Sequence, residues 1–242
     1  MPAKAPRLPV VDVLRGFAVA QMIVYHFIFD LNHFGWLKLR MLSDQPWVGW
    51  RTAIVTQFLL LVGVSLVLRT SFKPGLADFW RRWAQVAGAA VLVSIGSAIV
   101  FGPRYIWFGI LHFIAVALVL ARPLVRLGAW NLMLGVIVLA FGLLYAHPAF
   151  NDVPQNIVGL VTQKPKTEDY VPLFPWMGVV LIGAGLGALW QQRQWALAPV
   201  FRPLNDKPPR VLRLLGTWAL TVYLVHQPIL MGILWLARQA GL

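Results

Sequence analysis

The chain contains no cysteine and few charged residues. Of its 242 residues none is Cys, and only 12% are Asp, Glu, Lys or Arg, whereas about 25% of the residues in a soluble domain are charged. The absence of cysteine excludes disulfide bonds, a thiolate nucleophile and Cys-ligated metals. Of all residues 59% are hydrophobic, and the mean hydropathy is +0.71. These values predict an integral membrane protein.

Familiar catalytic and binding patterns are missing as well. The sequence has no Gly-x-Ser-x-Gly segment, so a typical serine triad has no support. Its histidines lack metal-ligand spacings such as His-Glu-x-x-His, so we expect no metal site. The net charge of +13 comes from Lys and Arg spread through short loops, without a basic arm or stripe. We therefore expect no nucleic-acid partner.

Seven apolar stretches are long enough to cross a bilayer, which takes roughly 17–25 residues in a helix. They cover residues 9–30, 50–68, 84–101, 105–121, 130–146, 174–191 and 213–237. The predicted fold is an all-α, multi-pass helix bundle with about seven transmembrane helices, forming a single domain over residues 1–242. Asp12 and Arg15 interrupt the first stretch, which favours a retained helix over a cleaved signal peptide.

Loop charges predict the orientation. One side of the membrane would hold 14 of the 21 Lys and Arg residues, namely Lys4, Arg7, Arg15, Arg69, Lys73, Arg81, Arg82, Arg122, Arg126, Arg193, Arg202, Lys207, Arg210 and Arg213. The positive-inside rule then places the N-terminus in the cytoplasm. Two long outer segments, 31–49 and 147–172, either cover an outward-facing site or are ordinary connecting loops.

The first span carries four ionisable side chains that lipid disfavours: Asp12, Arg15, His26 and Asp30. Eleven helical steps of 100° bring His26 back to within about 20° of Arg15, so the two share a face. Asp30 lies one turn after His26, and His33 follows if the helix continues. Such a seam must face protein or water, and it suggests a functional site.

Later spans add further polar residues. His112 in the fourth span is either a packing residue or part of a site. Trp176 opens the sixth span and is either an interfacial anchor or a surface on which a sugar stacks. Tyr223, His226 and Gln227 share one turn of the last span, beside Pro228. A cluster of this kind lines a cavity or bonds a neighbouring helix.

Histidine is the remaining candidate for chemistry. Imidazole changes charge near neutral pH and can accept a proton from an amine or alcohol that attacks a thioester. Asp30, one turn from His26, would orient the ring and stabilise its cation. The alternative is that His26 and Asp30 only neutralise each other.

A resemblance over a long segment favours the catalytic role of His26 and Asp30. The segment RLPVVDVLRGFAVAQMIVYHFIFDLNHFG resembles the opening of bacterial membrane proteins related to heparan-alpha-glucosaminide N-acetyltransferase, and FGILHFI, PLFPWMGVVLIGAG and YLVHQPIL match later signatures of that family. The start also resembles bacterial sugar O-acyltransferases, in which ten residues separate an Arg from a His. The resemblance implies a multi-pass acyltransferase of a bacterial inner membrane that moves acetyl from cytosolic acetyl-CoA to an amino sugar.

The resemblance also implies roles for residues. His26 is the expected base with Asp30 beside it, although in the lysosomal enzyme the position matching His26 looks like Asn and the active His comes later. His33 is therefore the second candidate. Acetyl-CoA would contact Arg15, Arg69, Arg81, Arg82 and His112, and the acceptor would contact Trp176, Tyr223, His226 and Gln227.

Two other classes remain open. A proton-coupled transporter would also use an inward-facing seam of Asp, Arg and His. An auxiliary subunit of another membrane enzyme would neither transfer acetyl nor move solute alone. A homodimer is expected, because the lysosomal relative is understood to be one.

Overall fold

The computed structural model describes residues 8–72 and 75–241, which are mostly α-helical. Within them the α-helices are α1 (Pro9–His33), α2 (Gln45–Ser71), α3 (Leu76–Phe101), α4 (Ile110–Leu124), α5 (Asn131–Leu144), α6 (Leu173–Gln192), α7 (Arg202–Asp206), α8 (Arg210–Thr217) and α9 (Ala219–Gln239). These residues form no β-strand; one isolated bridge joins Phe108 to Tyr170. The predicted all-α class is confirmed.

Six stretches of the described chain are long and apolar enough to span a membrane: Pro9–His33, Gln45–Ser71, Leu76–Arg104, Ile110–Leu144, Leu173–Gln192 and Ala219–Gln239. The count is close to the predicted seven, because Ile110–Leu144 contains two predicted spans. The protein is therefore a multi-pass membrane protein. Its orientation stays a prediction, and three residues used for it, Lys4, Arg7 and Lys73, lie outside the described residues.

Several helix boundaries differ from the predicted ones. Helix α4 begins at Ile110 rather than 105, because the Glu168 and Val171 amides bond the Arg104 and Phe108 carbonyls and hold this segment extended. Helix α3 begins earlier than predicted, at Leu76. The last span is broken at Trp218, whose φ of −102° and ψ of 21° separate α8 from α9.

By contacts, the described chain divides into two units: residues 59–196, and residues 8–58 with 197–241. The prediction of a single domain stays a prediction. In the first unit, glycines let helices approach closely. A Cβ on Gly135 would meet the Gly178 carbonyl, and one on Gly183 would meet the Leu60 carbonyl. Small residues at such contacts are typical of helix packing in membranes, where close backbone approach replaces the hydrophobic driving force.

The pairing of these glycines gives the helix directions in the first unit. Helices α5 and α6 are antiparallel, because Gly135 meets Gly178 while Gly142 meets Pro175. Helices α2 and α6 are parallel, because Gly183 meets Leu60 while Gly187 meets Val64 and Val67. This arrangement follows when α3, α4 and α5 run in alternating directions.

The second unit packs α1 against the start of α2 and against α8 and α9. Its core contains the buried side chains of Val19, Met22, Tyr25, Met41 and Ile54. Near the start of α1, Gly16 meets the backbone of α8 so closely that a Cβ would clash with the Leu212 carbonyl, and a Cβ on Gly216 would clash with the Asp12 carbonyl. This crossing, defined by Gly16 and Gly216, brings α1 against the α8–α9 segment.

Candidate functional site

Two histidines meet between α1 and α9. His26 Nδ1 lies 2.7 Å from His226 Nε2, and the two rings stack with centroids 4.9 Å apart and planes inclined by 29°. His226 is buried and His26 is half-buried. The last-span cluster was predicted to line a cavity or bond another helix, and through His226 it bonds the first helix.

The hydrogen bonds of His226 determine how both rings are protonated when the pair is neutral. His226 Nδ1 lies 2.8 Å from the Tyr223 carbonyl and 3.1 Å from the Val222 carbonyl. Because a carbonyl only accepts, Nδ1 carries the proton and Nε2 of a neutral His226 is left as an acceptor. His26 Nδ1 must then donate to it, so His26 Nε2 keeps its lone pair. That nitrogen is the one available for accepting a proton.

A second polar pair lies one turn further along α1. Gln227 Nε2 donates to Asp30 Oδ1 at 2.6 Å, and Asp30 is fully buried. Asp30 Oδ2 and Gln227 Oε1 are buried, and no described residue donates a hydrogen bond to either. Such acceptors are costly inside a protein unless a donor reaches them. The pair is therefore suited to a ligand that brings N–H or O–H groups.

The expected pairing of His26 with Asp30 is replaced by two parallel pairs. His26 is hydrogen-bonded to His226, whereas the carboxylate of Asp30 accepts from Gln227. Periodicity along α1 placed His26 and Asp30 on one face, but α9 supplies the closer partner for each. The ring of Tyr223 also contacts His226, at 5.8 Å between centroids.

Tyr25 was missed by the sequence analysis. Its side chain is buried, its ring packs edge-on against Trp50 at 5.6 Å, and among the described residues its hydroxyl has no hydrogen-bond partner. A buried Tyr hydroxyl normally finds a partner, so this is a third polar group in the second unit that a ligand would satisfy. Its position directly before His26 was the available signal.

The other predicted residues of α1 lie at its two ends. His33 is the last residue of α1 and is exposed. Arg15 Nη1 bonds Asp12 at 2.9 Å and the Gly216 carbonyl at 3.2 Å. Because Gly216 is in the last turn of α8, Arg15 satisfies a carbonyl that the end of a helix leaves open. Arg15 thus joins α1 to α8.

His112 lies in the first unit, where both ring nitrogens are occupied. Its Nδ1 accepts from the Gly109 amide at 3.3 Å, which leaves Nε2 as the donor to Ser94 Oγ at 3.0 Å. Ser94 in turn donates to the Ile106 carbonyl at 2.7 Å. These bonds cap the N-terminus of α4 and tie it to α3, and they give His112 a structural role.

The remaining predicted residues also belong to the first unit. Trp176 is half-buried in the first turn of α6. Arg69 is in the last turn of α2, and Arg81 and Arg82 are exposed early in α3, a short link away. Arg122 stacks over the Phe79 ring at 4.2 Å and so brings the end of α4 to the same basic end.

The family model for the catalytic region of heparan-alpha-glucosaminide N-acetyltransferase matches residues 7–228. No curated protein and no solved structure matched the chain. In the described ranges no group of three or more His, Cys, Asp or Glu side chains could hold a metal ion. Because the match covers most of the sequence and includes both polar pairs, the chain belongs to the heparan-alpha-glucosaminide N-acetyltransferase catalytic family.

Proposed function

We propose that this protein transfers the acetyl group of cytosolic acetyl-CoA to an amino sugar, with His26 as the general base. Membership of the family supports a transmembrane acetyltransferase in general terms. The observation that carries the finer proposal is the chain of hydrogen bonds through His226, which leaves His26 Nε2 with a lone pair. In this proposal the protein works in a bacterial inner membrane as a homodimer.

The chemical step needs one base. The amine nitrogen of the acceptor attacks the thioester carbonyl carbon, and its proton moves to His26 Nε2. As the C–N bond forms, the C–S bond breaks, and the proton passes from His26 to the departing CoA thiolate. The products are the N-acetyl sugar and CoA with its thiol. His226 accepts from His26 Nδ1 and stabilises the imidazolium that forms in between.

Asp30 and Gln227 are proposed to hold the acceptor. An amino sugar arrives as an ammonium, which offers three N–H donors, and the orphaned oxygens of this pair are two buried acceptors. The ammonium must lose one proton before its nitrogen can attack, and that proton goes to solvent. A carboxylate at this position favours an amine over a neutral hydroxyl, because the charged donor gives the stronger hydrogen bond.

The basic end of the first unit is proposed to bind the phosphates of acetyl-CoA. Arg81 and Arg82 are exposed on α3, and Arg69 lies in the last turn of α2, the helix before it in the chain. Arginine is well suited to phosphate because its planar fork of donors matches the oxygens. Arg15 is committed to Asp12 and Gly216, so its proposed part is to fix α1.

The test uses purified full-length protein in detergent. Acetyl-CoA at 100 times its dissociation constant should stabilise the protein by about 2.7 kcal/mol, in the wild type and in His26→Ala alike. Addition of glucosamine should release free CoA only from the wild type and from the control His33→Ala. If His33→Ala is the inactive variant, His33 is the base.

A proton-coupled transporter is the competing function, favoured by the buried Asp30 in a membrane-spanning helix. In vesicles a transporter would accumulate labelled glucosamine without consuming acetyl-CoA. Absence of any response to acetyl-CoA, together with such uptake, would replace the proposed function. Absence of both would favour the role of an auxiliary subunit.

A further inference from the structure

The link between α3 and α4 and the long loop before α6 line an open pocket of about 430 Å³ in the first unit. Its lining includes Tyr105 and Trp107 from the link, and Asp152, Asn156 and Lys166 from the loop. Pockets of about 300–1,000 Å³ are typical of small-molecule sites. This outer-loop pocket contains none of the residues proposed above for catalysis.

The walls of the outer-loop pocket are held by hydrogen bonds. Thr167 Oγ1 donates to the Tyr105 carbonyl at 2.7 Å, and Arg104 pairs with Glu168 at 3.2 Å. The Tyr170 hydroxyl donates to the Asn156 carbonyl at 2.6 Å, and burial raises the pKa of Tyr170 to about 12. That hydroxyl therefore stays a donor across the physiological range. A long loop fixed in this way is typical of a functional loop.

The pocket lining carries polar groups without protein partners. Asn156 is 2% exposed, and its Oδ1 accepts no hydrogen bond from the part of the chain that the structure describes. The Trp107 indole N–H, the Asp152 carboxylate and the Lys166 ammonium likewise make no hydrogen bond or ion pair within residues 8–72 and 75–241. Asn156 Oδ1 is the buried group that lacks a partner, whereas Asp152 and Lys166 are exposed and water can satisfy them. Together with the Trp107 N–H, these groups offer acceptors and donors to a ligand with several hydroxyl groups.

The aromatic rings narrow the class of ligand. Trp107 is half-buried and packs against Tyr170 at 6.4 Å between centroids, which leaves its ring as part of the pocket wall beside the exposed Tyr105. An aromatic face complements the C–H face of a pyranose, whose equatorial hydroxyls point outwards to polar groups. One carboxylate and one ammonium balance each other, so the pocket fits a neutral sugar better than a phosphate.

We propose that the outer-loop pocket binds a neutral disaccharide of equatorial pyranoses, stacked on Trp107 with its hydroxyls bonded to Asp152, Asn156 and Lys166. The volume allows about two sugar rings. The proposal does not depend on the acetyltransferase activity, because no residue of the His26 or Asp30 pairs takes part. It adds a glycan-recognition site outside the membrane-spanning helices.

The experiment is calorimetric titration of the purified full-length protein with cellobiose, which has no amino group to occupy the proposed acceptor site. The wild type should show saturable binding at concentrations up to about 20 mM. Trp107→Ala should weaken it about tenfold, since stacking on an aromatic ring contributes on that scale. Asp152→Asn, an exposed loop change, should weaken it several-fold, and Trp107→Phe should retain most of it.

The controls separate this site from the rest of the protein. Trp130→Ala removes another Trp, 68% exposed and far along the chain from the loop, and should bind as the wild type does. His26→Ala should also bind normally, even if it lacks all transferase activity. Absence of binding to the wild type, or equal binding by Trp107→Ala, would overturn the proposal and leave Trp107 and Tyr105 as interfacial anchors.

Discussion

Two backbone carbonyls determine which nitrogen of His226 carries the proton. The Tyr223 and Val222 carbonyls force the proton onto His226 Nδ1, and this in turn orients the proton of His26. Proteins commonly fix the tautomer of a His ring by a hydrogen bond from one ring nitrogen to a backbone carbonyl, which leaves the other nitrogen as an acceptor. In the proposed mechanism His226 is therefore a positioning residue rather than a reacting one.

A first prediction separates positioning from packing at His226. His226→Leu should lower kcat about 100-fold, because the His26 ring loses its acceptor and its imidazolium loses stabilisation. KM for acetyl-CoA should change little. His226→Gln keeps an oxygen near the position of Nε2, and it should recover part of the lost kcat, which steady-state kinetics would measure.

The result that contradicts this role is specific. If His226→Gln is as slow as His226→Leu while both keep the melting temperature of the wild type, an acceptor at that position has no catalytic value. Equal activity of all three proteins would remove His226 from the mechanism.

Asp30 supports a second prediction, on the acceptor. Asp30→Asn is nearly isosteric and keeps an oxygen for Gln227, but it removes the negative charge. KM for glucosamine should rise about tenfold or more, because the ammonium loses a charge-assisted hydrogen bond of about 1.5–3 kcal/mol. Initial rates at varied glucosamine and saturating acetyl-CoA would measure it. An unchanged KM would show that the ammonium binds elsewhere.

At the scale of elements, the crossing of α1 and α8 determines where the polar pairs form. Gly16 and Gly216 let the two backbones meet, and Arg15 bonds the Gly216 carbonyl across the contact. In the same unit His26 and Asp30 lie about three to four turns further along α1 and meet α9. A substitution at the crossing should therefore shift α1 relative to α8 and α9, and so alter the positions of the two polar pairs.

The third prediction concerns Gly16→Ala. Its Cβ would clash with the Leu212 carbonyl and lie 3.0 Å from the Gly216 amide nitrogen, and backbone atoms cannot move aside as a side chain does. We expect destabilisation of about 1–3 kcal/mol and a loss of acetyl transfer. A thermal melt and a CoA-release assay on the same sample would measure both.

Gly232→Ala is the matched control, because a Cβ there meets nothing within 4 Å. On α9 it should be neutral or slightly stabilising, since Ala is the better helix former. Equal melting temperatures for Gly16→Ala and the wild type would contradict the proposed close approach.

The polar faces of the helices were easier to predict from the sequence than the hydrogen-bond partners of the residues on them. The polar face of α1 and the cluster around His226 were predictable, because helical periodicity alone puts these residues on one face. The exchange of partners was not predictable: His26 bonds His226 and Asp30 bonds Gln227 because α9 packs there, and no pattern within one helix encodes that. His112 shows the converse, since its role depends on Ser94 and on the start of α4.

At the scale of the whole molecule, the absence of cysteine makes the orientation testable. A single introduced Cys is the only thiol in the chain. If the N-terminus is cytoplasmic, a membrane-impermeant maleimide should label Arg40→Cys from outside intact cells. It should label Lys207→Cys only after permeabilisation. The reverse pattern would invert the topology and leave acetyl-CoA on the wrong side for the proposed phosphate contacts.

The most direct measurement of the central claim is acetyl transfer itself. Purified protein in vesicles would receive acetyl-CoA labelled with ¹³C in the acetyl group together with glucosamine, and mass spectrometry would follow labelled N-acetylglucosamine. The account predicts product from the wild type and from His33→Ala, and a rate lower by about 100-fold or more from His26→Ala. Two results would contradict it: formation of labelled product by His26→Ala at the wild-type rate, or the absence of labelled product with all three proteins.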